Sequence, residues 1–175
     1  MGNYILLDTE TTGLDDGAEI VEVSVIDDEG NVLLNTLVKP RKPIPASATA
    51  IHGITNAMVA TAPTYDQIHH QLIALLAQNT CYIYNASYDM RLMRQSAALY
   101  GIAFDSRLYQ FHCVMEDYAD QHNGGYWSTL SGAYCHARMM RGTPQIALSA
   151  HRALADCLMT LEVSRFLEDT TTEEH

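Results

Sequence analysis

Positive charge is scarce: ten Lys and Arg stand against 21 Asp and Glu, a formal charge of −11 over 175 residues. That balance excludes strong sequence-independent gripping of long duplex DNA by counterion release, so any nucleic-acid contact is expected to be short. Long apolar runs are also missing. No eighteen consecutive apolar residues occur, and the N-terminus joins no basic stretch to an apolar run. A secretory signal and a membrane span are therefore not expected, and the reading is a soluble, cytoplasmic protein without membrane contact. The four cysteines (Cys81, Cys113, Cys135 and Cys157) are widely separated and form no C-x-x-C pair, so reduced, buried thiols are expected. A zinc site assembled from His112-Cys113 and Cys135-His136 would lack the usual spacing of about two to four residues within a ligand pair. No internal repeat is present.

What remains is 47% apolar and 18% charged, a composition that fits one globular domain. That domain is expected over residues 1–168, with an acidic, threonine-rich tail at 169–175 that frays. Residues 4–9 (YILLDT) read as a short buried strand, broken by TTGLDDG. Ile20, Val21, Val23, Val25 and Ile26 form a second strand, ending at a turn over 27–30, and residues 32–38 resume extended chain. Together these predict a three-strand antiparallel meander. Residues 39–45 (KPRKPIP) hold three of five prolines, along with Lys39, Arg41 and Lys42. A stiff exposed crossing is expected there, either a solvated linker or a phosphate contact.

Ile68, Leu72, Leu75 and Leu76 recur with helical spacing over 65–76, and residues 81–85 (CYIYN) look like a buried strand. A helix from Ser87 should stop at Gly101, residues 107–111 suggest a further strand, and helical stretches are expected near 113–121 and 128–140. Trp127, between the last two, reads as a packing anchor rather than a substrate platform. Ser149 can cap a final helix running to about Glu168. Strands first, then helices alternating with strands, imply an α/β mixed sheet flanked by helices.

Three short segments carry chemistry. In Asp8-Thr9-Glu10-Thr11-Thr12-Gly13-Leu14, at a strand end, the period-two alternation puts Asp8 and Glu10 on one side, able to share a cation. Taken alone, the pair is also ordinary polar turn chemistry. In Asn85-Ala86-Ser87-Tyr88-Asp89 an acid enters the first turn of a helix, a place the helix dipole favours without any function. In His151-Arg152-Ala153-Leu154-Ala155-Asp156 the acid heads a stripe continuing to Met159, Val163 and Leu167, while Leu154, Leu158 and Leu161 mark a neighbouring face. Asp156 is thus half enclosed and needs a partner.

In this order the three segments resemble the DEDDh branch of the DnaQ-like 3′→5′ exonucleases, whose motifs are D-x-E-T-T-G, N-x-x-[FY]-D and H-x-x-x-x-D. Ile51-His52-Gly53-Ile54-Thr55 followed by Ala62-Pro63-Thr64 is similar to the segment between the first two motifs in proofreading members. The resemblance covers residues 4–166 and implies a ribonuclease H-like fold. It also implies four acidic ligands, Asp8, Glu10, Asp89 and Asp156, with His151 as general base. Four carboxylates in one cleft repel one another and raise their pKa values, a cost that divalent cations remove. Two Mg²⁺ or Mn²⁺ ions, roughly 3.5 to 4 Å apart, serve this role in two-metal sites. By similarity, Asp8 bridges both ions, Glu10 and Asp156 hold the one that activates water, and Asp89 supports the second through water. An imidazole suits the base role because its ordinary pKa of roughly 6.5 leaves it neutral at cellular pH. Being five residues from Asp156, about 140° around a helix, His151 must reach in from the helix start or the preceding loop.

For substrate, the resemblance suggests the backbone of Thr11 at the terminal nucleotide, Leu14 wedged beside its base, Ile54 and His52 bordering the pocket, and Tyr88 near the phosphate. Leu14 and Ile54 have ordinary core packing as their alternative. Two features depart from the family pattern: Tyr84 precedes Asn85 where many relatives have His, and the chain ends soon after the third motif. The expected activity is release of nucleoside 5′-monophosphates from single-stranded or frayed DNA 3′ ends, in proofreading or repair. A DNA polymerase is an allowed but not assured partner. Short RNA, or RNA 3′ ends, is the alternative substrate, and a catalytically silent module that holds nucleic-acid ends or a polymerase is the alternative of another class.

Overall fold

The computed structural model describes residues 4–144 and 151–173. The β-branched runs become β1 (Tyr4–Thr11), β2 (Ile20–Asp27) and β3 (Val32–Leu37), paired as an antiparallel meander. Asp27 builds the reversal between β2 and β3. Its carboxylate accepts the N–H groups of Glu29 at 3.0 Å and Asn31 at 2.8 Å, and Gly30 takes φ 94°, where a side chain would be strained. Past the crossing at 39–45, α1 (Ala46–His52), α2 (Asn56–Val59) and α3 (Tyr65–Gln78) lead to β4 (Thr80–Ile83), which runs parallel to β1. Next come α4 (Ala86–Ala98), a 3₁₀ turn at Ser106–Leu108 and β5 (Phe111–Cys113), parallel to β4. The chain finishes with α5 (Val114–His122), α6 (Leu130–Met140) and α7 (Ala153–Glu173). Sheet order is β3-β2-β1-β4-β5.

Both faces of the sheet are covered, which is why β1 and β2 read as nearly continuous apolar runs. Ile5, Leu7, Val23 and Val25 pack against Leu72, Leu76, Leu92 and Met93 of α3 and α4. On the other face Leu6 and Ile26 meet Cys157 and Leu161 of α7. The two stripes anticipated on α7 go to different partners: Met159, Val163 and Leu167 join Tyr118 of α5 and Ala133 and Ala137 of α6, whereas Leu154, Leu158 and Leu161 lie against the sheet. Leu72 is fully buried. Leu72→Ala is expected to cost about 2–5 kcal/mol, seen as a lower urea midpoint with an unchanged denaturant slope.

Several expectations need correcting. The strand anticipated over 107–111 is instead the 3₁₀ turn, whose N–H at Arg107 is accepted by the Asp105 side chain at 3.1 Å, followed by the three-residue β5. The last helix does not stop near Glu168. Asp169 pairs with Arg141 at 2.8 Å, and the Thr170 hydroxyl donates to the carbonyls of Phe166 and Leu167, contacts that carry helix into the segment expected to fray. Trp127 is no packing anchor, being 71% exposed. The turn at Asn123–Gly125, with two glycines at positive φ, lifts the segment outward before Thr129 caps α6. Ser149 lies outside the described residues. Among the described residues no helix is long and apolar enough to cross a membrane.

Candidate active site

The site forms where the far end of β1 meets the start of α7. Leu6, Asp8 and Glu10 share the α7 face of the sheet by strand alternation, and a bulge between Glu10 and Thr11 ends the regular ladder there. One carboxylate oxygen each from Asp8, Glu10 and Asp156 lies within 4.8 Å of the others, the one such group of three or more His, Cys, Asp or Glu ligands among the described residues. Asp89 comes from the first turn of α4. It is buried and accepts a hydrogen bond from the Thr9 hydroxyl at 2.7 Å, so Thr9, on the opposite face of β1 from Asp8, ties the second acidic segment to the first.

His151 lies two residues before the first residue of α7, Ala153. Its side chain is exposed, its φ is 66°, and its backbone N–H points to Asp156 Oδ1 at 3.3 Å. His151 thus stands before the helix rather than on it, with its backbone N–H turned to Asp156. The start itself is held by a residue that motif reading passed over. Glu22 of β2 accepts the first helical N–H, at Ala153, and receives the Arg152 guanidinium. Its sequence signal was an acid amid IVEVSV, at a position where every neighbour is buried.

The acids are electrostatically unsatisfied as they stand. Burial, then the charges of Asp89, Asp156 and Glu10, push Asp8 well above the usual carboxylate range. Burial, reinforced by Asp156, Glu22 and Asp89, lifts Glu10 to about 8 against the pull of Arg152. Asp89 rises to about 7, chiefly by burial and despite its bond from Thr9. Asp156 rises to about 6, again through burial, with the His151 N–H opposing. A cleft lined with oxygen donors that resist ionising together fits hard divalent cations such as Mg²⁺ or Mn²⁺. Asp8, Glu10 and Asp156 would hold such an ion, with Asp89 beside them. The zinc alternative fails on geometry. His112 pairs with Asp117, His136 Nδ1 meets the Tyr118 hydroxyl at 2.9 Å, and neither joins Cys113 or Cys135 in a ligand cluster.

The residues expected at the substrate divide into two kinds. Leu14 is 80% exposed on the turn after β1, where its carbonyl accepts from Arg91 Nη2 at 3.2 Å, so its side chain is free to meet a base. Tyr88 and Thr11 share a hydroxyl contact of 2.8 Å and both reach the Gly13 carbonyl, stitching that turn together. Ile54, in contrast, is fully buried with Val21, Ile44, Ala48 and Val59 and presents no surface to a ligand. His52 is buried too. Its Nδ1 accepts the Ile54 N–H at 3.0 Å, which leaves Nε2 to donate to the Thr11 carbonyl at 3.2 Å, and burial keeps its pKa low. A neutral His52 thus latches the backbone just past Glu10.

A family model described as exonuclease, the RNase T family, matches residues 5–164, a span that runs from before Asp8 to beyond Asp156. The chain belongs to this exonuclease family. An uncharacterized exonuclease of Escherichia phage 186, CP81, is 47% identical over 169 residues, covering 91% of this chain and 84% of that one. Exodeoxyribonuclease 10 of Escherichia coli K12 is 32% identical over 157 residues, covering 89% and 64%. The DNA polymerase III subunit epsilon of Rickettsia typhi is 32% identical over 101 residues, and the match spans only 44% of that relative's length. Among solved structures, exonuclease X in complex with 5′-overhanging duplex DNA superposes with a TM-score of 0.70 at 28% identity, covering 97% of this chain and 93% of that one. Exonuclease I, at 18% identity and a TM-score of 0.72, shares the fold. The mixed sheet with its flanking helices is the ribonuclease H-like fold anticipated from the motifs.

Proposed function

We propose that the chain is a DEDDh-type, metal-dependent 3′→5′ exonuclease that releases nucleoside 5′-monophosphates from single-stranded or frayed DNA ends, in proofreading or repair. The observation that carries the reading is the convergence of Asp8, Glu10 and Asp156 within 4.8 Å, with Asp89 on Thr9 beside them and His151 at the helix edge. Preference for DNA is supported by the relative named exodeoxyribonuclease and by the DNA-bound exonuclease X structure. Asp8, Glu10, Asp89 and Asp156 would hold divalent cations, which when bound would supply the positive charge that lets a phosphate enter so acidic a cleft and would acidify the attacking water. His151 takes the proton from that water as its oxygen bonds to phosphorus. The P–O3′ bond breaks, the departing 3′-oxygen takes a proton from solvent water, and the shortened strand leaves with a free 3′-hydroxyl. An exposed imidazole meets the requirement that a base reach a solvent-borne nucleophile. Leu14, exposed on the turn that follows β1, is the group to separate the terminal base from its neighbour. Apolar contact of that kind does not depend on net charge, which is how a chain carrying −11 holds a nucleic-acid end.

The test is product analysis on oligonucleotides labelled at the 3′ or the 5′ end, DNA and RNA in parallel, with Mg²⁺ and with EDTA. The reading expects mononucleotides shed first from the 3′ label and no cleavage in EDTA. Activity in EDTA would refute the mechanism, and faster loss of RNA would transfer the same chemistry to the other sugar.

A second expectation concerns the loop before α6. The Tyr84 hydroxyl donates to the Ser128 carbonyl at 3.0 Å, which anchors Tyr126 and Trp127 next to the end of β4, while both aromatic rings stay more than 70% exposed. The last β1–β4 pair is Leu6 with Tyr82, so Tyr84 continues past the paired strands in the direction in which β1 runs on to Asp8. Base stacking is worth about 1–3 kcal/mol per base, so Trp127→Ala is expected to raise KM for single-stranded substrate by about fivefold or more. Because the ring is exposed, kcat and Tm should hold. Steady-state kinetics on a strand several nucleotides long, beside a dinucleotide, checks this.

A further inference from the structure

Glu22 adds a fifth acid to a cleft already crowded with four. It faces Glu10 directly across the β1–β2 ladder and is 3% exposed. It is nevertheless not part of the carboxylate trio that could hold a cation. Both of its oxygens are committed elsewhere. Oε1 accepts from Arg152 Nη2 at 2.5 Å, and Oε2 accepts from Arg152 Nε at 3.0 Å and from the Ala153 N–H at 3.0 Å. The guanidinium fork neutralises the buried charge, and the same carboxylate supplies the acceptor that the first N–H of α7 would otherwise lack.

The residue immediately before this knot is His151, held at φ 66° although it carries a side chain. Non-glycine residues take that conformation uncommonly and keep it where their surroundings hold them. Among the described residues, the contacts that hold it are its own N–H on Asp156 and the pinning by Glu22 of the two residues that follow it. Glu22 reaches them across 130 positions of sequence.

We infer that Glu22 is a positioning residue for His151, fixing through Arg152 and the first N–H of α7 the left-handed turn that carries the imidazole. The inference rests on His151 being the proton acceptor of the proposed exonuclease. Glu22 itself touches no reacting atom. It acts by keeping the base where the attacking water is deprotonated, so its loss should appear in kcat and not in KM.

The experiment is a double-mutant cycle with a labelled single-stranded oligonucleotide at saturating Mg²⁺, comparing Glu22→Gln, His151→Ala and the two together. His151→Ala should lower kcat by about a hundredfold or more. Glu22→Gln should lower it by about 10–100-fold with little change in KM. In the double variant the Glu22 change should add no more than about twofold, because there is no imidazole left to position. An equal loss from Glu22→Gln in both backgrounds overturns the inference and assigns Glu22 to the metal site or to the fold. Unchanged kcat in Glu22→Gln overturns it as well. Full activity of His151→Ala removes the base itself, a failure read without touching Glu22. Arg152→Lys guards against a Glu22→Gln protein that does not fold. It keeps the charge pair but loses the two-point fork, so reduced kcat at unchanged Tm supports positioning, and wild-type kcat shows that neutralisation alone matters and overturns it.

Discussion

Asp8→Asn is expected to cut turnover by on the order of a hundredfold or more while making the metal-free protein harder to melt. The two effects share one cause. Asp8 lies within 4.8 Å of Glu10 and Asp156, and its folded-state ionisation is opposed first by burial and then by Asp89, Asp156 and Glu10. At neutral pH the folded, metal-free protein either keeps a proton on Asp8 or bears mutual repulsion, and an amide of the same shape does neither. At this chain length each 1 kcal/mol of relief corresponds to about 2–4 °C in Tm. The check is a melting curve in EDTA at pH 8 beside a turnover assay in Mg²⁺. A variant that stays active would remove Asp8 from the ligands on which cutting depends. A variant that melts lower in EDTA would mean that the carboxylate is structurally satisfied in a way the crowded geometry does not suggest.

How much of this was legible beforehand depended on the range of the interaction that decides each feature. The meander was readable because β-branched runs and the Asp27–Gly30 turn are local signals, and Asp8 and Glu10 share a face because strand alternation requires it. Asp156 was placed half enclosed by its helical stripe, and its neighbours on α7 sort onto the faces that spacing marked. Features decided by distant partners were not readable. Leu14 and Ile54 had equal standing in the sequence, yet one is 80% exposed and the other fully buried, because α1 and α2 fold over Ile54 while Arg91 and Tyr88 hold Leu14 on an outward turn. Trp127 looked like core by residue type. Its exposure is set by the glycine turn before it and by the Tyr84–Ser128 contact, which spans 44 positions. Glu22 was passed over because the motifs concern acids that face a cation, whereas this one faces an arginine from the far end of the chain. At three residues, β5 was too short to show a period-two pattern.

Divalent metal should stabilise the protein increasingly as pH rises, and the sign follows from which state holds the protons. Folded-state values near 6 for Asp156, 7 for Asp89 and 8 for Glu10, with Asp8 raised as well, stand above the ordinary carboxylate value of about 4. Between those limits the folded state binds protons that the unfolded chain has released, so these groups make metal-free stability fall as pH climbs from about 4 towards 8. The buried His52 and His69 and the half-buried His122, whose pKa values are lowered chiefly by desolvation, act in the opposite direction. They favour folding as pH rises through the ordinary histidine range. The half-exposed Asp27 and Asp105 have depressed values, with Asp105 near 2, and lose their contribution only in acid, below the relevant window. A single Tm–pH curve therefore mixes opposing slopes. The difference between curves in Mg²⁺ or Mn²⁺ and in EDTA largely cancels the histidines, because they titrate in both, and isolates the acids that a cation displaces from protonation. At a metal concentration about 100-fold above Kd, mass action gives about 2.7 kcal/mol, which is about 5 °C or more for a chain of this size. That increment is expected at pH 8 and should shrink towards pH 5, where protons already occupy the carboxylates. A metal-induced shift of the same size at both pH values would place the cation away from Asp8, Glu10 and Asp156, and no shift at either would remove the shared metal on which the proposed chemistry depends.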